Sequence, residues 1–294
     1  MIQPKTFAAG DLSKVLDYAG SKLGRKIAAY LIGGCAMTFM GRKVATKDID
    51  IVFGSAADAN NFAAAIRLAG FEYVRRPSGG YNALGASAIM EDNRGMRFDI
   101  FDRQVCRGLE LSQGMKTRAR VYQSFGNLDV YLMAPEDIFL FKGITERATD
   151  LEDMRVLAEV GLNWRTIEQE CVSQKGRGQW AYMLGTKLLE LRAKSGIESP
   201  IIKKLMDHAD LDLLTHVFGN VIGRGNSTFN EIAQAIDEKY RYSASWTRKQ
   251  LAILVRRRIV GKKKATTRRY VYYVRKSAPS SSIRTLHQKR LSPA

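Results

Sequence analysis

The sequence predicts an α/β unit with a mixed sheet and helices, then a helical segment, then a small C-terminal domain of three helices and a hairpin. Three observations carry that prediction. Short alternating apolar runs between glycine turns dominate residues 1 to about 134, helix-period patterns take over after Ala134, and a basic, tyrosine-rich stretch closes the chain. At 294 residues and 45% hydrophobic content, two or three compact units with sizeable cores are expected. The boundaries are placed at 1–134, 135–208 and 209–276, with 277–294 as a mobile basic tail.

Taken in order, "DLSKVLDYAGSKLG" spaces Leu12, Val15, Leu16 and Tyr18 for a helix, with Asp11 as its cap. "KIAAYLIGG" reads as a buried strand ending in a glycine turn, "CAMTFMG" as the start of a helix and "DIDIVFG" as a strand. The alanine-rich "AADANNFAAAIRLAG" is a helix closed by Gly70. Five further strands are read in "FEYVRR", "YNALGASAIM", "MRFDIFD", "RARVYQSF" and "LDVYLM". The loop with Gly79 and Gly80 reads as a hairpin turn. From "APEDIFLFKG" the pattern stays helical to about Leu211. No internal repeat stands out.

Composition excludes several function classes. No apolar run reaches the roughly 18 residues of a membrane span, and the N-terminus lacks a signal peptide's basic and apolar regions, so a cytoplasmic protein without a membrane partner is expected. Cys35, Cys106 and Cys171 are too scattered for a disulfide framework or a zinc site and read as small buried hydrophobes. The formal charge of +18 is concentrated at one end. Sixteen Lys and Arg and no Asp or Glu lie from Arg241 to Ala294, which leaves thirty-one basic against twenty-nine acidic residues before it. Such a one-sided segment points to a polyanion, nucleic acid first and an anionic membrane surface second.

"LIGGCAMTFMGRKVATKDIDIVF" concentrates the chemistry. On a strand, Asp48 and Asp50 share one face while Ile49 and Ile51 share the other. Adjacent carboxylates repel, and hard oxygen ligands suit Mg²⁺ or Mn²⁺ shared with substrate phosphates. Gly33 and Gly34, at a strand-to-helix turn, let backbone approach a ligand closely. Asp99 alternates with Phe98 and Ile100 and makes a third acid, whereas Asp102 falls on their side.

The glycine pair, the thirteen-residue spacing, the Asp-x-Asp strand and the later Asp together resemble the nucleotidyltransferase superfamily related to DNA polymerase beta. With "APEDIFLFKGITERATDLEDMRVL", residues 10 to 160 are similar to the minimal nucleotidyltransferases of abortive-infection and toxin–antitoxin systems. The resemblance implies an NTP substrate lined by Gly33 and Gly34 and two metals on Asp48 and Asp50. It also implies that Asp99 ligates one metal and helps deprotonate an acceptor hydroxyl. Thr46 and Arg42 sit where such proteins carry polar or basic groups, and a solvated loop accounts for them equally well. Lys142 would face the phosphates, with Asp150 or Asp153 in support. Alternatively, Lys142 pairs with Glu146 and Asp150 caps a helix. An antitoxin protein is the further partner implied.

At the C-terminus "DLDLLTHVFGNVIG", "TFNEIAQAID" and "SASWTRKQLAILVRRRIV" read as three helices, the second capped by Thr228 with Glu231 in a capping box. With the hairpin "GKKKATTRRYVYYV" they resemble a winged helix-turn-helix. In that arrangement Ser245, Trp246, Thr247, Arg248 and Lys249 would reach base edges, while Lys262, Lys263, Lys264, Arg268 and Arg269 would meet phosphate. DNA, with RNA as the other option, is the expected polymer. The functional expectation is a metal-dependent transfer of a nucleoside monophosphate from an NTP to an acceptor hydroxyl, on or near nucleic acid. The alternative is a DNA-binding regulator whose nucleotidyltransferase fold is sensory or inactive.

Overall fold

Leu12, Val15, Leu16, Ala19 and Gly20 recur at helical spacing and form the buried stripe of α1 (Ala9–Lys22). The helix begins earlier than Asp11. Ala8 is its N-cap, and Asp11 sits three residues in, accepting the Ala8 N–H at 3.4 Å. The computed structural model describes residues 6–74, 85–106, 108–145, 147, 149–223, 225–267 and 269–275. Gly79, Gly80, Glu146, Arg268 and the basic tail therefore lie outside the described residues.

The strands β1 (Ile27–Leu31), β2 (Asp48–Phe53), β3 (Glu72–Tyr73), β4 (Ala88–Glu91), β5 (Arg97–Asp102), β8 (Arg120–Phe125) and β9 (Leu128–Leu132) form one sheet. Its order is β3-β4-β5-β2-β1-β9-β8. The β1–β9 and β2–β5 pairs are parallel and the others antiparallel, so the sheet is mixed as expected. The "FEYVRR" strand shortens to two residues among those described. A small ribbon of β6 (Gln104–Val105) and β7 (Leu109–Glu110) follows β5.

Pleating sorts the two faces. Phe53 and Phe98 project from one face onto Phe62 of α3 (Ala56–Arg67), with ring centroids 5.1 and 5.4 Å apart. Asp48, Asp50 and Asp99 alternate with that apolar set and occupy the other face. Gly20 allows α1 to lie against the β8–β9 turn: a Cβ there would stand 1.7 Å from the Phe125 carbonyl oxygen. Gly20→Ala should therefore force backbone apart and lower stability by about 2 kcal/mol in denaturant titration.

The helices α2 (Gly33–Phe39), α4 (Gln113–Arg118), α5 (Pro135–Gly143), α6 (Asp150–Glu159) and α7 (Trp164–Ser173) complete this unit. Arg118 ties three of them together, reaching Asp137 and Glu170 at 2.6 Å each. From Asp137 to Gly143, α5 is buried on every side, against α2, α6 and α7. The chain divides into two compact units: residues up to 174 with 183–202, and 175–182 with those from 203 onward. The helices α5, α6 and α7 thus belong to the same unit as the sheet, α8 (Arg177–Ser195) is divided between the two units, and residues 135–208, read from the sequence as one domain, are split between them. The expected 208/209 boundary falls inside α9 (Ile202–Ile222), a continuous helix that follows α8.

In the second unit, β10 (Ser227–Thr228), α10 (Phe229–Tyr240), α11 (Ala244–Arg256), β11 (Val260–Thr266) and β12 (Arg269–Val274) follow α9. Phe218, Ile232, Ile236, Leu251 and Leu254 form its core, and the sheet order is β10-β12-β11. The capping box of α10 is formed, with the Thr228 N–H donating to Glu231 Oε2 at 2.7 Å. Ser243 caps α11 by accepting the Trp246 N–H. Among the described residues, no helix is long and apolar enough to cross a membrane.

Candidate functional site

Parallel pairing of β2 with β5 sets Asp50 opposite Asp99 and Asp48 opposite Arg97. Residues opposed in this way share a face, so the three acids gather on one patch of sheet. Gly33 closes it from the α2 side. Its φ is +62°, and a Cβ on it would lie 2.1 Å from Asp50 Oδ2, so only glycine lets the backbone sit there. Gly34 is similarly tight against Thr46, whose Oγ1 would be 3.0 Å from an added Cβ and donates to the Asp48 carbonyl at 3.0 Å. Thr46 is buried, bridged to Phe7, and Arg42 is exposed.

The three acids are not equivalent. Asp50 is 5% exposed, and no described residue donates a hydrogen bond to its carboxylate. Burial pushes its pKa well up, and the charges of Asp48 and Asp99 add to the rise, while Arg147 and Lys142 oppose it. Asp99, 1% exposed, is held by both arms of Arg97, from Nε at 2.8 Å and Nη2 at 2.7 Å. Burial still raises the Asp99 pKa against that pull. The same Arg97 Nη2 stands 3.7 Å from Asp48 Oδ2. Asp102 ends the strand and pairs with Arg103. Burial, then Asp50 and Asp48, push the Cys35 thiol well up, so it stays an unreactive thiol.

Beside the acids lies a second charged cluster. Lys142 is 3% exposed and bonded to Asp150 at 3.1 Å and Asp153 at 2.6 Å. Lys43 also reaches Asp153 at 3.0 Å, and Arg147 reaches Asp150 at 3.0 Å. Asp150 does not cap α6. Thr149 is the N-cap, and the Asp150 carboxylate also accepts the Thr145 hydroxyl. Lys142, which by resemblance would face phosphate, has its ammonium committed to two carboxylates. Arg147 keeps its charge despite burial because Asp150, Asp50 and Asp48 surround it. Arg97, Arg147 and Lys43 did not emerge from the sequence. Arg97 had a signal, since it stands two residues before Asp99 and therefore on its face.

No protein-family model matches this chain, and no curated protein matches it.

A divalent cation fits this donor set in part. The hard oxygens of Asp48 and Asp50 suit one, and the Asp50 carboxylate accepts no hydrogen bond from any described residue. Asp99 does not fit as placed, because Arg97 takes both its oxygens. Consistent with that, no three His, Cys, Asp or Glu among the described residues group as a metal site.

In the second unit, two of the five side chains expected to reach base edges are turned to packing. Thr247 is 0% exposed and its hydroxyl donates to the Ser243 carbonyl at 3.1 Å, so it cannot touch a base in this arrangement. Trp246 stacks on Tyr242 at 4.1 Å and packs on the core. Arg248 lies over the Phe229 ring at 4.1 Å, and Ser245, Arg248 and Lys249 are all exposed. Lys262, Lys263, Lys264 and Arg269 are all exposed on the hairpin.

Proposed function

We propose that this protein is a divalent-cation-dependent nucleotidyltransferase that moves a nucleoside monophosphate from an NTP to an acceptor hydroxyl, on or near nucleic acid. The observation that carries the reading is the Asp50 carboxylate, which no described residue hydrogen-bonds, pressed against Gly33 and gathered with Asp48 and Asp99 on one face. Crowding three carboxylates on one patch is electrostatically costly, and a bound cation would relieve that cost.

In the proposed reaction the acceptor oxygen bonds to the α-phosphorus, the bond to the β-phosphate oxygen breaks and pyrophosphate leaves. Asp48 and Asp50 would hold the cation, which supplies positive charge to the triphosphate oxygens. Asp99, once released by Arg97, accepts the hydroxyl proton, and its raised pKa suits that role. Gly33 and Gly34 would line the triphosphate with backbone, their lack of side chains letting α2 start hard against Asp50 and Thr46.

A second reading has its own support. The Arg97 fork neutralises Asp99 and approaches Asp48, as an acidic patch retained for structure would require. The protein would then be a DNA-binding regulator with an inactive nucleotidyltransferase-like fold. Incubation of the full chain with each labelled NTP, Mg²⁺ or Mn²⁺, and RNA, DNA and protein fractions separates the two. Label in a nucleic-acid fraction that disappears with a chelator is expected. No label above a boiled control in any fraction would overturn the enzyme reading in favour of the regulator.

A further inference from the structure

The β11–β12 hairpin interleaves lysine with tyrosine in a definite register. Lys262 opposes Tyr272 and Lys264 opposes Tyr270, which puts all four on one face. The Lys262 ammonium lies 4.2 Å from the Tyr270 ring centre and 5.9 Å from that of Tyr272. On the opposite face Lys263 stands 5.6 Å from the ring of Tyr273, which lies across Gly261. Tyr270 is 48% exposed, while Tyr272 reaches inward to the core of the unit.

We infer that this hairpin is a single-stranded nucleic-acid platform, on which Tyr270 stacks an unpaired base while Lys262 and Lys264 meet the flanking phosphates. Lysines alone would suit any polyanion. An exposed aromatic face between them adds something only an unpaired base can use, because the bases of a duplex are already stacked on one another. The commitment of Trp246 and Thr247 to packing points the same way, since insertion of α11 into a major groove would need them free. This deepens the proposed function by naming an unpaired strand as the acceptor class, and rests on that reading only for transfer, not for binding.

Fluorescence anisotropy of the full chain without NTP, using a labelled twelve-nucleotide single strand, its duplex and an abasic strand of equal charge, tests the inference. The single strand should bind roughly ten-fold tighter than the abasic strand, and Tyr270→Leu should abolish that difference while Tyr270→Phe keeps it. Lys264→Ala should weaken both strands alike and flatten the log–log salt slope by about 0.7. Equal affinity for normal and abasic strands, tighter duplex binding, or a Tyr270→Leu protein that binds unchanged would overturn the platform. Because no NTP is present, a failed transfer assay leaves this result standing, and a failed binding assay leaves the transfer result standing.

Discussion

Asp50→Asn is expected to reduce nucleotidyl transfer at least about a hundred-fold, the scale on which loss of a single preorganised charged or polar group acts. The substitution preserves shape and removes the charge that would hold the cation. Its effect on stability should run the other way. The folded-state pKa of Asp50 is raised, so ionisation opposes folding: the penalty is absent below the unfolded value near 3.8 and complete once pH exceeds the folded one. At neutral pH, Asp50→Asn should therefore equal or exceed the wild type in denaturant midpoint, and the gain should vanish as pH falls toward 4. A variant that retains transfer would remove Asp50 from the site. One that loses transfer because it unfolds would show a lowered midpoint, opposite to the expected sign.

Lys142→Ala is expected to be the most destabilising of the charge substitutions, by about 3–5 kcal/mol, because it strands Asp150 and Asp153 without their buried partner. Burial opposes the lysine's charge, yet Asp150 and Asp153 outweigh it and its pKa rises; that stability is complete below about 10.5 and lost as pH climbs through the raised value. Burial likewise opposes ionisation of Asp150, but Lys142 and Arg147 win and its pKa falls, so its contribution holds above about 3.8 and is lost as pH drops through the folded value. The destabilisation by Lys142→Ala should therefore be flat between those limits in urea titrations and shrink outside them. A loss below 1 kcal/mol would mean that Lys43 and Arg147 alone neutralise the two acids.

What could be read from residues alone tracks where a side-chain period is strong. A period of two put Asp48, Asp50 and Asp99 on one face, and the β2–β5 register bears that out. The same period would have exposed Arg97 as the partner of Asp99, since both stand on that face. The mistaken reach of Thr247 was also legible. Thr247, Leu251 and Leu254 sit at i, i+4 and i+7, so one helix face carries all three into the core. Other features had no local signal. The polar run from Asp207 to Asp212 looks like a break, yet α9 continues through it. Lys142 lies in a helix buried all round, where a lysine cannot extend to solvent, and its partners lie on the following helix, beyond the reach of any single-element pattern.

Arg97 has a consequence for biosynthesis. An acidic cluster that depended on an external ion for neutrality would tie completion of the sheet to ion supply, because β5 could not settle beside β2 while like charges faced each other uncompensated. Here the countercharge is encoded on the incoming strand, two residues ahead of Asp99, and arrives with it. The nascent chain can thus pair β5 with β2 with Asp99 already countered, and its yield of folded protein should be indifferent to chelation of divalent ions during refolding.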